Sequence, residues 1–178
     1  MSTPVTKALD DKLARVKLFL CDVDGILTDS SIFIGQEHET KRFHIRDGLG
    51  LIMLRKEGIK TGWVSNRPSP ATTLRANELK IDFLEQGKGN KVTAVENILA
   101  GTGFNWEDVC YMGDDVVDLG VLKRAGMAAT VADATAEAKA AAHYITQAIG
   151  GHGAVREVIE LILKAQNRWE RIVAEHSA

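Results

Sequence analysis

Three features of the 178-residue sequence predict an α/β fold with a central parallel sheet. Short runs of strand formers alternate with segments of helical period through most of the chain. The runs are apolar on both faces, as strands buried between two helical layers must be. Polar clusters follow several runs, at the end of the sheet where open α/β sheets hold their ligands. The expectation is a three-layer Rossmann-like fold with right-handed crossovers and a small β-hairpin inserted after the first strand.

The elements follow in chain order. Val16 to Cys21 is a short apolar run that stops at Asp22 and reads as a buried strand. From Ser31 to Ile45, Ile32-Phe33-Ile34 and Lys41 to Ile45 flank the polar stretch Gly35 to Glu39, the pattern of a hairpin. Leu49, Ile52, Met53 and Lys56 fit a helix, with Asp47 as N-cap and Gly58 as stop. Ile59 to Val64 is the next strand. Ser69 followed by Pro70 marks a helix start, and that helix runs to about Lys80. Ile81 to Leu84 is a short strand. Val92, Val95, Ile98 and Leu99 give a helix face that ends before Gly101. Val109 to Met112 is a strand, and Asp118 to Arg124 a short helix stopped by Gly126. Met127 to Val131 is a strand, Ala134 to Ala142 a helix and Tyr144-Ile145-Thr146 strand-like. One long helix begins near Ala154, with Val155, Val158, Ile159, Ile162 and Leu163 on one face.

Composition narrows the class. Hydrophobic residues are 45% and charged residues 26%, enough apolar material for a full core. Lys plus Arg total 22 against 24 Asp plus Glu, a net charge of −2 that argues against a polybasic nucleic-acid binder and an acidic disordered tail. Two cysteines, Cys21 and Cys110, are too few for a disulfide scaffold and lack zinc-ligand spacing. They read as reduced core thiols. No apolar run approaches the ~20 residues that span a bilayer, and Met1 to Arg15 has no continuous apolar stretch of the secretory type. A cytoplasmic globular protein with no membrane and no nucleic-acid partner is the expectation. No repeat or linker divides the chain. It reads as one domain over 1–178, with a core over 15–150, a hairpin at 30–46, and a Gly-rich loop and C-terminal helix over 150–178.

Four polar clusters fall at one end of the expected sheet. Asp22 and Asp24 follow the first strand. At i and i+2 in extended chain they face one side, and Gly25 lets the backbone turn away. Such a pair can divide labour between a nucleophile and a general acid. Gly113-Asp114-Asp115 and Asp118 follow the Val109 strand. Clustered carboxylates repel one another unless a hard cation such as Mg²⁺ lies among them. Asp115 and Asp118 fit helix capping as well as a role at the site. Ser65 offers a hydroxyl to a phosphoryl oxygen, and Lys91 neutralises developing charge.

The order Asp22-x-Asp24, Ser65, Lys91, Gly113-Asp114-Asp115-x-x-Asp118 resembles the haloacid dehalogenase superfamily of phosphohydrolases. Within it, Asp22 to Asp29, Phe43 to Gly50, Ser65-Asn66-Arg67 and Gly150 to Glu157 are similar to the 3-deoxy-D-manno-octulosonate (KDO) 8-phosphate phosphatases. The resemblance implies no large cap domain. It implies Asp22 as nucleophile through an aspartyl-phosphate, and Asp24 as general acid and base. Mg²⁺ would be held by Asp22, Asp24 (through its backbone carbonyl) and Asp114, with Asp115 and Asp118 in support. Arg67 would pair with the substrate carboxylate. Arg46, His44 and Asn66 stand as further substrate-binding candidates. Asn66 replaces the family's usual Gly; Asn tolerates left-handed backbone angles, so the turn can survive. The implied partner is a small phosphorylated sugar acid. The implied assembly is a homotetramer in which a neighbour's hairpin or C-terminal segment covers the site, with Gly150 to Gly153 part of that lid. Two rivals stay open: the same chemistry on a nine-carbon acid 9-phosphate, and a non-catalytic sugar-acid-binding module.

Overall fold

The computed structural model describes residues 6–35 and 39–177. Helix α1 (Lys7–Ala14) comes first, capped by Thr6, whose side chain accepts the Leu9 N–H. No motif in Met1 to Arg15 announced it. Its Leu9 and Leu13 are buried.

Six strands form one parallel sheet in the order β5-β4-β1-β6-β7-β8. They are β1 (Leu18–Cys21), β4 (Lys60–Ser65), β5 (Phe83–Gln86), β6 (Val109–Met112), β7 (Met127–Thr130) and β8 (Tyr144–Ile145). Every residue of β1, β6 and β7 is buried, as expected of central strands covered on both faces. Helices α2 (Ile45–Lys56), α3 (Pro70–Leu79), α4 (Lys91–Thr102), α5 (Leu119–Leu122), α6 (Ala136–Ala141) and α7 (Ala154–Ala165) make the crossovers and flanks. The two-residue strands β2 (Phe33–Ile34) and β3 (Glu39–Thr40) pair antiparallel as the expected hairpin. Residues 36–38 of its turn lie outside the described residues.

Several boundaries differ from expectation for physical reasons. The second hairpin strand is Glu39–Thr40, not Lys41 to Ile45. The chain leaves the ladder at Lys41 because that side chain turns into the protein and is wholly buried. Phe43 then stacks on buried Trp63, with ring centroids 6.1 Å apart. His44, not Asp47, occupies the N-cap of α2; Asp47 lies one turn inside and accepts the Arg156 N–H of α7 at 2.7 Å. Helix α4 runs through Gly101 and ends at Gly103, which takes the left-handed C-cap. The long C-terminal helix is two helices. It breaks where Asn167 adopts φ +55°, and α8 (Trp169–Glu175) follows.

Cys21 and Cys110 are free, buried thiols, and burial raises both pKa values. Among the described residues, no helix is long and apolar enough to cross a membrane.

Candidate active site

The carboxyl ends of β1, β4 and β6 lie side by side. Cys21 pairs in register with Trp63 on one side and Met112 on the other. Asp22, the next residue, donates its N–H to the Met112 carbonyl at 2.9 Å. This places the loops after β1 and β6 against each other. Gly25 takes φ +93°, and any Cβ there would collide with the Asp114 carboxyl group. The Asp-x-Asp-Gly order is therefore needed for close approach of the two acidic loops.

Lys91 is the first residue of α4 and is buried. Its Nζ lies 3.0 Å from Asp22 Oδ1 and 2.7 Å from Asp118 Oδ1. Burial opposes the ammonium charge, but Asp22 and Asp118 outweigh it and hold the pKa above its ordinary value. Asp118 is fully buried and fully engaged. Its Oδ1 accepts Lys91 and the Tyr111 hydroxyl at 2.6 Å, and its Oδ2 accepts the N–H groups of Asp114 and Asp115 at 3.2 and 3.3 Å. Both readings of Asp118 are thus met: it shapes the turn and orients Lys91. Asp115 is exposed, and its side chain caps the following 3₁₀ turn at Val116 N.

Carboxylate oxygens of Asp22, Asp114 and Asp118 lie within 4.8 Å of one another. With Asp118 saturated, Asp22 and Asp114 are the pair left for a cation. Asp114 Oδ1 is buried without a hydrogen-bond partner among the described residues. Burial, then the Asp22 and Asp118 charges, raise its pKa to about 7. Burial raises Asp22 to about 6, against the pull of Lys91 and with the push of Asp118. Crowded oxygen donors with uncompensated charge suit a hard divalent cation. One oxygen of the Asp24 carboxylate is taken, since Oδ1 accepts Lys41 Nζ at 2.7 Å.

Ser65 ends β4, and its hydroxyl closes a tight turn with Arg67 N at 3.1 Å. Asn66 has no positive φ, so this turn does not use the left-handed geometry that glycine would favour. One Arg67 nitrogen, Nη2, pairs with Glu39 of β3, and Nη1 is buried with no partner among the described residues. Glu39 also accepts the Ser69 hydroxyl at 2.7 Å; the Arg67 and Ser69 bonds hold its pKa down at about 2.

Asp22, Asp24, Ser65, Asn66, Arg67, Lys91, Asp114 and Asp115 all line one cavity of about 260 Å³. Asp118 lies beneath it. His44 and Arg46 do not join them. They line a separate cavity of about 520 Å³ with His152 and Arg156, beside the start of α7. The Gly150–Gly153 loop is not a lid on this chain's cavity. Gly150 and Gly151 are buried, Gly151 donates its N–H to the Ile26 carbonyl at 3.0 Å, and a Cβ at Gly150 would meet the Gly25 carbonyl. The loop braces the Asp22–Asp24 turn from behind.

Sequence reasoning missed Tyr111, Glu39 and Lys41. A tyrosine inside an all-buried strand needs a partner for its hydroxyl, which is a usable signal for Tyr111. Glu39 and Lys41, two residues apart beside a strand, share the spacing that singled out Asp22 and Asp24.

Comparison with known proteins identifies the family. Residues 65–159 match the model of the haloacid dehalogenase-like hydrolases. The chain is 39% identical over 168 residues to the 3-deoxy-D-manno-octulosonate 8-phosphate phosphatase KdsC of Yersinia pestis, covering 94% of this chain and 90% of that protein. A crystal structure of the Moraxella catarrhalis phosphatase of the same name, in complex with magnesium ion, phosphate ion and KDO, superposes with a TM-score of 0.94. It is 39% identical and covers 97% of this chain and 99% of that one. A cobalt-bound Haemophilus influenzae phosphatase superposes at 0.86 with 38% identity, over 89% of this chain and 93% of that one. With the fold, the acidic cluster and this identity in agreement, the chain belongs to the haloacid dehalogenase-like hydrolases, in the family of KDO 8-phosphate phosphatases, and is a phosphatase.

Proposed function

We propose that the chain hydrolyses KDO 8-phosphate to KDO and inorganic phosphate, with Mg²⁺ as cofactor, in the making of lipopolysaccharide precursors. The observation that carries this reading is the partly exposed Arg67 side chain bordering the same cavity as the Asp22–Lys91–Asp114 cluster. A substrate with a phosphate at one end and a carboxylate at the other meets a partner for each.

Asp22 is the nucleophile. Its carboxylate bonds to phosphorus as the bond to the sugar oxygen breaks, and Asp24 gives that oxygen its proton. Asp24 then takes a proton from water, which attacks phosphorus and releases Asp22. Lys91 lies 3.0 Å from the nucleophile and offsets negative charge gathering there. Ser65 and Asn66 border the phosphoryl group. Asp22, the Asp24 carbonyl and Asp114 would hold Mg²⁺, which when bound offsets repulsion between the carboxylate and the phosphate dianion. Asp118 and Asp115 support that arrangement. His44 and Arg46 act on substrate only from a neighbouring subunit, since their cavity is apart from the catalytic one within one chain.

One phosphatase domain over 1–178, a cytoplasmic setting and a homotetramer belong to the same reading. Phe33 and Ile34 of β2 are 61% and 81% exposed in the single chain, which favours burial of the hairpin against other copies. Sedimentation tests this, with Ile34→Lys expected to lower the mass and an unchanged monomeric wild type against it.

The test of function is phosphate release with Mg²⁺ from KDO 8-phosphate, a nine-carbon 2-keto-3-deoxy acid 9-phosphate and simple sugar phosphates. The highest kcat/KM is expected on the eight-carbon acid. A higher value on the nine-carbon acid transfers the assignment to that substrate. No release from any sugar-acid phosphate overturns it.

A further inference from the structure

The Lys41 side chain has no solvent exposure. Its Nζ donates to Asp24 Oδ1 at 2.7 Å and to the Thr72 hydroxyl of α3 at 3.3 Å, with Glu39 Oε1 at 3.9 Å. Asp24 Oδ2 has no hydrogen-bond partner among the described residues. A buried ammonium is costly unless paired, and a well-packed apolar side chain would anchor the hairpin as well or better. Anchoring alone therefore does not account for a charge here. What the charge adds is direction, because it occupies one Asp24 oxygen and leaves the other for the reacting groups.

We propose that Lys41 is a positioning residue that fixes the Asp24 carboxylate for proton transfer, so that the hairpin segment serves the catalytic step through its own chain. The proposal rests on the acid–base role given to Asp24 above. Lys41 need not touch substrate. It holds Oδ1, and Oδ2 carries the proton to the leaving oxygen and later takes one from water.

The test compares Lys41→Met, Thr72→Val and Asp24→Asn with wild type on two substrates. One is an alkyl phosphomonoester that the wild type hydrolyses. The other is p-nitrophenyl phosphate, whose leaving group departs without a proton. For Lys41→Met, kcat on the alkyl ester is expected to fall about 10- to 100-fold, with KM nearly unchanged. The initial burst of p-nitrophenolate, which reports the first displacement alone, stays near the wild-type rate. Thr72→Val keeps the charge, removes its second anchor and gives a smaller loss of the same kind. It also serves if Lys41→Met does not fold. Unchanged kcat in both variants, or a burst that falls by the same factor as kcat, overturns the proposal. Full activity in Asp24→Asn overturns instead the acid–base reading beneath it.

Discussion

The ammonium of Lys91 lies 2.7 Å from Asp118 Oδ1, with both side chains almost wholly removed from solvent. Asp118 thereby converts a helix-start lysine into a fixed cation beside the nucleophile. Replacing Asp118 by Asn leaves Lys91 and Tyr111 with a weaker partner in a dry site. Breaking such a pair costs about 3 kcal/mol or more. Urea unfolding of Asp118→Asn is expected to show that loss, and kcat to fall with it. Wild-type stability in the variant would contradict the account.

Asp22→Asn is expected to abolish turnover while the fold persists, since the amide keeps the shape and removes the nucleophile. Retained phosphatase activity in that variant, with a native circular dichroism spectrum, would remove Asp22 from its role.

The acidic pair gives the metal-free protein a pH signature. Asp114 rises to about 7 and Asp22 to about 6 from an ordinary 3.8, so the folded chain binds these protons more tightly than the unfolded chain does. Their stabilising contribution is full below the unfolded value and is lost as pH rises through the folded ones. Asp114→Asn removes one such group. Without divalent metal, its melting temperature relative to wild type should climb between about pH 5 and about pH 8. Added Mg²⁺ should raise the wild-type melting temperature more at the higher pH, because the ligands must be deprotonated. A pH-independent gap would show that these carboxyls are not perturbed.

Arg67 pairs its Nη2 with Glu39 while its side chain stays partly exposed at the cavity. Arg67→Ala should lower kcat/KM for a phosphorylated sugar acid by about 10- to 100-fold, the worth of a charge-assisted hydrogen bond. Hydrolysis of p-nitrophenyl phosphate, which has no carboxylate, should change far less. Equal losses on both substrates would place Arg67 at the phosphoryl group.

Gly150 touches the back of the Asp22–Asp24 turn. In Gly150→Ala the added methyl meets the Gly25 carbonyl, and backbone rather than a flexible side chain must move. Overpacking of this kind costs about 1–3 kcal/mol. Thermal melting and kcat should fall together. An active variant of unchanged stability would mean that the loop yields freely.

The sheet and most of the cavity are legible in the sequence. Val109 to Met112 was placed to the residue, and Ser69-Pro70 marked the start of α3, because strand burial and helix capping are written in neighbouring residues. Asp22, Asp24, Ser65, Lys91 and Asp114 are legible because each ends, follows or begins an element at the carboxyl end of the sheet. The α2 N-cap was misplaced at Asp47, since a capping aspartate and one that accepts the Arg156 N–H from α7 look alike in sequence.

By itself, then, the sequence determined the layer order and the acidic end of the sheet, which depend on short-range pattern and motif spacing, and through its resemblance to a known family it implied the reaction class. Tertiary structure alone decided the partners: Lys91 on Asp118, Lys41 on Asp24, Arg67 on Glu39, and His44 with Arg46 in a different cavity. Each joins side chains from separate elements. Their pairing depends on how strands register and how a hairpin folds back, and neither leaves a periodic mark along the chain.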